Sequence, residues 1–216
     1  LTNRSGGFKV ESLRRAREEM RMIPEPLEPF SFARVVEAVA RAKQRLIRAV
    51  RALEAAGITY AVAGGHAVAV WVARMDEGGV RNTPDVDILI RRQDFEAATS
   101  ALASAGFVRK EGGMGVFLDG PDGKERSAVH TLFASEKVRP EHLFPAPDID
   151  ESETAESFRV VTLPALIRMK LTSFRHKDQM HLLDMIDVGL IDQSTVATVP
   201  PELAPRLQEL IDNPES

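Results

Sequence analysis

Cysteine is absent from this 216-residue chain, and with it go disulfides, thiolate metal sites, iron–sulfur clusters and cysteine nucleophiles. That absence fits a cytoplasmic protein. Long hydrophobic runs are also missing: the longest unbroken one, Ala67 to Ala73, falls far short of the roughly 20 residues that a membrane helix needs. The opening Leu1-Thr2-Asn3-Arg4-Ser5-Gly6-Gly7 has no apolar signal-peptide core. An excess of positive charge is lacking too. With 28 Lys and Arg against 32 Asp and Glu, the formal charge is −4, which argues against indiscriminate coating of nucleic acid. No Gly-x-x-x-x-Gly-Lys-Ser/Thr loop occurs, excluding a P-loop ATPase, and no Gly-x-Ser-x-Gly elbow supports a serine hydrolase. Aromatic residues make up only 6%; Trp71 and Tyr60, the single Trp and Tyr, flank a Gly-Gly pair and read as core.

What is present suits a folded α+β protein. Hydrophobic residues at 44% and charged residues at 28% are near the globular average, and a chain of this length buries a substantial core without staples. The sequence divides into an extended or short-helix segment over 1–32, an α/β core over 33–162 and a helical C-terminal part over 163–216. In the first segment, Arg14 to Met22 suits a short charged helix, and Pro24, Pro26 and Pro29 then forbid regular structure. From Phe32 to Ala56, Val35, Val36, Val39, Leu46, Val50 and Leu53 recur at helical spacing, and Gly57 supplies a stop. Arg34, Arg41, Arg45 and Arg48 fall on the opposite face, either as a solvated surface or as a ridge facing nucleic acid.

Beyond this helix, Ile58 to Ala63 reads as a strand ending in the turn Gly64-Gly65, and Ala67 to Met75 as a buried helix. Asp85 to Ile90 alternates as a strand, Gln93 to Ala105 suits a helix, and Phe107–Arg109, Val116–Leu118 and Ser127–Phe133 suit antiparallel strands. A polar, acidic loop is expected over 134–157. Phe158 to Thr162 suits a last strand, followed by helices at Leu163–Phe174, Met180–Ile191 and Pro201–Ile211.

Asp85-Val86-Asp87 is the most informative triplet. On a strand, residues i and i+2 project from one face, so the two carboxylates stand together and repel. A divalent cation between them reverses that cost, and hard Mg²⁺ takes one or two carboxylates plus waters and substrate phosphates. Alone, Asp-x-Asp also describes a solvent-facing strand end. The upstream Gly64-Gly65 adds a strand-to-helix turn whose amides can cradle phosphate oxygens. Together they place an anion cradle beside a cation site, the equipment for transferring part of a nucleoside triphosphate.

The string Gly64-Gly65-His66-Ala67-Val68, then Arg81-Asn82-Thr83-Pro84-Asp85-Val86-Asp87-Ile88, resembles the nucleotidyltransferase superfamily of the DNA polymerase β type. Within it, the likeness is greatest to small bacterial proteins grouped with the AbiEii-type toxins, over roughly residues 50 to 192. The resemblance implies a mixed sheet flanked by helices, Mg²⁺ or Mn²⁺ at Asp85 and Asp87, and NTP as donor. It implies an acceptor such as RNA, a protein or a small molecule, and an antitoxin partner for a toxin. Gly64, Gly65, His66, Arg81 and Thr83 would then serve nucleotide binding. The stretch Leu163 to Lys170, followed by Arg175, Lys177 and Asp178, is similar to the family's C-terminal helix segment. It assigns Lys170 to the triphosphate and Asp178 to organising the site. The family's third carboxylate, which helps deprotonate the acceptor, is replaced here by His130, with Glu136 just beyond it. His130 could serve as the base, or it could mark a non-catalytic nucleotide- or protein-binding relative. His66, His176 and His181 complete a polar set with no recognised zinc spacing.

Overall fold

A computed structural model describes residues 29–112, 115–155 and 157–214. The expected helix over Arg14 to Met22 lies outside them. Two compact units divide the chain at residue 35. In the first, Phe30 and Phe32 meet edge to face at 5.3 Å, and Arg34 caps back onto the carbonyl of Pro29.

The second unit is an α+β body built on a seven-stranded mixed sheet. Its helices are α1 (Phe32–Ala55, which enters from the first unit), α2 (Gly64–Ala73), α3 (Phe95–Ser104), α4 (Leu163–Ser173), α5 (His176–Asp187) and α6 (Ala204–Asp212). The strands are β1 (Tyr60–Ala63), β2 (Val86–Ile90), β3 (Phe107–Arg109), β4 (Val116–Asp119), β5 (Val129–Phe133), β6 (Ser152–Ala155) and β7 (Phe158–Val161), in the order β3-β4-β5-β2-β1-β7-β6. β2 runs antiparallel to β1 and parallel to β5, and β3-β4-β5 form the expected antiparallel meander. None of the described helices is long and apolar enough to cross a membrane.

Strand periodicity sorts the core into two layers. Val86, Ile88 and Ile90 of β2 pack with Leu46, Val50 and Leu53 of α1 and Phe95 and Leu102 of α3. Leu89, one residue out of phase, packs on the other face with α2, α4, α5 and α6 through Val68, Leu166, Leu182 and Leu207. Both layers are closed, with Leu53, Ile88, Leu89, Leu102 and Leu182 fully buried. Each such side chain contributes roughly 1.5–3 kcal/mol by leaving water. Trp71 belongs to the second layer, where its Nε1 donates to the carbonyl of Val161 at 3.1 Å; buried Tyr60 donates to Glu54 at 2.6 Å.

Several details differ from the sequence expectations. Arg45 is on no solvated ridge: it is buried, pairs with Asp119 at 3.0 Å and donates to the carbonyl of Pro84 at 3.0 Å. Arg48 reaches the same carboxylate and lies over Phe107. Conversely, Val36 and Val39 of the expected apolar face are exposed. Gly64-Gly65 is the first turn of α2 itself and not a turn before it. The polar stretch 134–157 contains β6, which pairs antiparallel with β7. The helix expected from Met180 begins at His176, and Gln193–Ala197 forms a 3₁₀ turn.

Candidate active site

The site grows from the N-terminal end of β2. Alternation directs Asp85, Asp87 and Leu89 away from the α1–α3 layer, and Leu89 is buried on that side while the two carboxylates open onto a cleft of about 310 Å³. Asp87 is paired in register with Ala63 on one side and with His130 on the other. Side chains opposite one another on neighbouring strands share a face, so His130 stands beside Asp87, and both line the cleft.

Gly64 and Gly65 are explained by what approaches them. A Cβ on Gly64 would lie 1.8 Å from Oδ2 of Asp87, and φ there is +62°. A Cβ on Gly65 would lie 2.8 Å from the Thr83 side chain. The glycine pair is thus the negative image of Thr83 and Asp87. The Thr83 hydroxyl in turn donates to Oδ1 of Asp85. Gly64 lines the cleft at the start of α2, where unpaired helix N–H groups suit an anion. Gly65, His66, Arg81 and Thr83 stand outside the residues that line it. Arg81 pairs with Asp184 of α5 at 2.7 Å.

The opposite wall comes from the α4–α5 corner. Pro164 starts α4 in its first turn, where proline is favoured. The helix ends at Ser173, Phe174 adopts the left-handed conformation at φ +47°, and α5 begins at His176. A left-handed non-glycine residue costs about 1–2 kcal/mol. Here it turns the chain sharply enough to bring Lys170, Arg175, Lys177 and Asp178 together. Asp178, 1% exposed, accepts from Lys170 Nζ at 3.0 Å, Ser173 Oγ at 2.6 Å and Arg175 Nε at 2.8 Å, and from the Arg175 N–H at 3.3 Å. Its lone pairs are occupied, so it organises cations and is not placed to ligate a metal. Lys177 crosses the cleft to Oδ2 of Asp85 at 3.3 Å.

Electrostatics distinguish these groups. Burial and the neighbouring charge of Asp85 push the Asp87 carboxyl up. Burial also opposes ionisation of Asp85, but the Thr83 hydroxyl and Lys177 outweigh it and hold Asp85 below its usual value. Burial lowers Lys170, against the pull of Asp178 and Asp87. Asp178 is held well below the ordinary range because Arg175, Lys170 and Ser173 outweigh its desolvation. His66 and His181 are lowered to about 4, chiefly by burial, and each has a ring nitrogen with no hydrogen-bond partner, Nε2 and Nδ1 respectively.

Among the described residues no cage of three or more metal-binding side chains is gathered. A pair of same-face carboxylates, one of them made harder to ionise by the other, still fits a cation that takes its remaining ligands from water and phosphate. Glu136 does not replace the missing carboxylate in this cleft. It pairs with Arg92 at 2.6 Å, and Arg92 lies over Phe133. Arg175 and Lys177, quoted in the motif but given no role from sequence, line the cleft, as do Arg139 and His142 of the long loop. The signal for the first two was their spacing around Asp178; the loop residues carry no sequence signal.

The sequence matches no family profile and no curated protein. Among solved structures, the fold is similar to the solution structure of the antibiotic-resistance factor ANT(2'')-Ia, at a TM-score of 0.48 and 11% identity over 81% of this chain and 92% of that one.

Proposed function

We propose that the chain transfers a nucleoside monophosphate from a nucleoside triphosphate to an acceptor hydroxyl, releasing pyrophosphate. The observation that carries this reading is the meeting of Asp85, Asp87 and His130 on one sheet face with Lys170, Arg175 and Lys177 across a single cleft. Asp85 and Asp87 would hold Mg²⁺ or Mn²⁺, which when bound polarises phosphate oxygens and neutralises their charge. Lys170, Arg175 and Lys177 would offset the charge that develops on the departing pyrophosphate, and Gly64 would receive a phosphate oxygen at the start of α2. In the transfer itself, the acceptor oxygen bonds to the α-phosphorus as the bond to the α–β bridging oxygen breaks. The electron pair leaves with pyrophosphate, and the acceptor proton passes to an imidazole nitrogen of His130. Asp178 keeps Lys170 and Arg175 aimed at the cleft.

The second reading is a nucleotide-binding relative without turnover. It is favoured by one feature: the group in register with Asp87 is an imidazole and not a carboxylate. Incubation with each α-³²P-labelled NTP, Mg²⁺ and total RNA or lysate separates the two. Label on an acceptor, lost in D85N/D87N, supports transfer; NTP binding without label supports the second reading; no binding overturns both. The likeness of the Gly-Gly and Asp-x-Asp string to AbiEii-type toxins extends the proposal to a toxin restrained by an antitoxin partner. Expression of the chain alone should then arrest growth, and D85N/D87N should not.

A further inference from the structure

His130 belongs to two cavities. Besides the cleft, it lines a second one of about 220 Å³, and Leu132 and Val138 are likewise common to both. The second cavity lies along β5, where the Gly115 carbonyl accepts the Thr131 N–H at 2.7 Å, and residues 136–138 also line it. We propose that this cavity seats the acceptor, and that the acceptor carries its hydroxyl next to a phosphate group. The proposal rests on the nucleotidyl-transfer reading above.

Position is the first argument. An in-line displacement needs the acceptor oxygen to approach the α-phosphorus from the side opposite the leaving pyrophosphate. The cations suited to pyrophosphate come from the α4–α5 wall, whereas His130 comes from β5, across the cleft. An oxygen entering from the second cavity therefore meets His130, the polar side chain that lines both cavities, whereas Lys170 and Lys177 line the cleft alone.

Charge is the second argument. One carboxylate lines the second cavity, that of Glu136, and it is occupied by the Arg92 guanidinium through both oxygens. The Thr131 hydroxyl is taken by the carbonyl of Gly115 at 3.2 Å. What remains is Lys137, exposed and with no acidic partner among the described residues. A polycationic amino sugar would find no free carboxylate there and would face a like charge. A phosphate ester would find a cation beside a hydroxyl-accepting imidazole.

The test uses the full chain with Mg²⁺ and a fluorescent non-hydrolysable NTP analogue, whose binding is read separately. Three probes are then titrated in: ribose 5-phosphate, a short oligoribonucleotide with a free 3′-hydroxyl, and the amino sugar kanamycin. At least one phosphate-bearing probe should bind. Lys137→Glu should weaken that binding about tenfold or more through like-charge repulsion, Lys137→Arg should preserve it, and neither should change analogue binding. Binding of the oligoribonucleotide alone assigns the cavity to an RNA end; binding of ribose 5-phosphate assigns it to small phosphorylated sugars. The proposal is overturned if the analogue binds but neither phosphate-bearing probe does, if kanamycin binds more tightly than both, or if Lys137→Glu has no effect. Failure of the analogue itself to bind would remove the nucleotidyl-transfer reading, and this proposal with it.

Discussion

The two faces of the sheet are built from the same strands and do opposite work. Toward α1 and α3, β2 presents Val86, Ile88 and Ile90 to a mainly apolar layer, whose buried charge, Arg45, is paired with Asp119 at its edge. Toward α2, α4 and α5 it presents Leu89, then Asp87 and Asp85, and that side also holds buried Lys170 and Asp178 and the two unpartnered imidazoles. A strand period of two lets the six residues from Asp85 to Ile90 serve both layers without compromise. The first face admits charge only as the paired Arg45–Asp119; the second concentrates charge that stability alone would not select.

That contrast is broken most severely by D85N/D87N. On the proposed function, transfer should fall by roughly three orders of magnitude or more, since the carboxylates proposed to hold the metal would be gone. The melting temperature should change little, because relief of the burial and repulsion that oppose ionised Asp87 offsets loss of the Thr83 and Lys177 contacts that favour ionised Asp85. A melt lowered by several degrees would mean that the carboxylates are structural. On the same face, Asp178→Ala should cost about 3–5 kcal/mol, since it strands Lys170 as an uncompensated buried charge. Denaturation by urea at pH 7 measures it. The folded-state pKa of Asp178 lies below its unfolded value, so its contribution is complete above the unfolded value and disappears as pH falls through the folded one. On the apolar face, Leu102→Ala should cost about 2–5 kcal/mol yet leave NTP affinity per folded molecule unchanged. A shift in that affinity would show that the two faces are coupled.

A smaller effect sharpens the comparison through acid. His181 is lowered from 6.5 to about 4, so the unfolded chain binds its proton first as pH falls. Stability must therefore decline between those values, by on the order of 3 kcal/mol for this group. His181→Phe should flatten the dependence of urea midpoints on pH over that interval; an unchanged slope would place the titration elsewhere. The smallest expected effect is that of Gly57→Ala, about 1 kcal/mol, because φ is +68° but the space around it is open. Gly64→Ala has a similar φ and should cost more and abolish transfer, since its methyl would displace Asp87. Equal losses at the two positions would contradict the close approach.

How much of this was legible in the sequence depended on the range of each contact. The same-face carboxylates and the meander follow from strand alternation and turn residues, which are local; the mixed sheet is implied only by the family resemblance. Arg45 was misplaced because helical spacing assigns it to the outer stripe, while its partner Asp119 is 74 residues away on β4. β6 was missed because Ser152-Glu153-Thr154-Ala155 has almost no apolar alternation, and pairing with β7 defines it. The early start of α5 was hidden by the polar His176-Lys177-Asp178-Gln179, whose helical state is supported by Asp178 accepting the Arg175 N–H. The second cavity left no trace in sequence at all, since it is formed between a strand and a loop.

Gly64 and Asp87 also have a consequence for inheritance. They are 23 positions apart in the chain, yet each fills the space the other leaves, so natural selection acts on them as one character. In a descendant that abandons the acid for a smaller residue, the constraint on the glycine is relaxed at once, and drift is free to fill it. In a descendant that gains a side chain at Gly64 first, the acid is driven out whatever its use. Loss of the function should therefore leave a double scar in an alignment of relatives, with the glycine and the acid disappearing together.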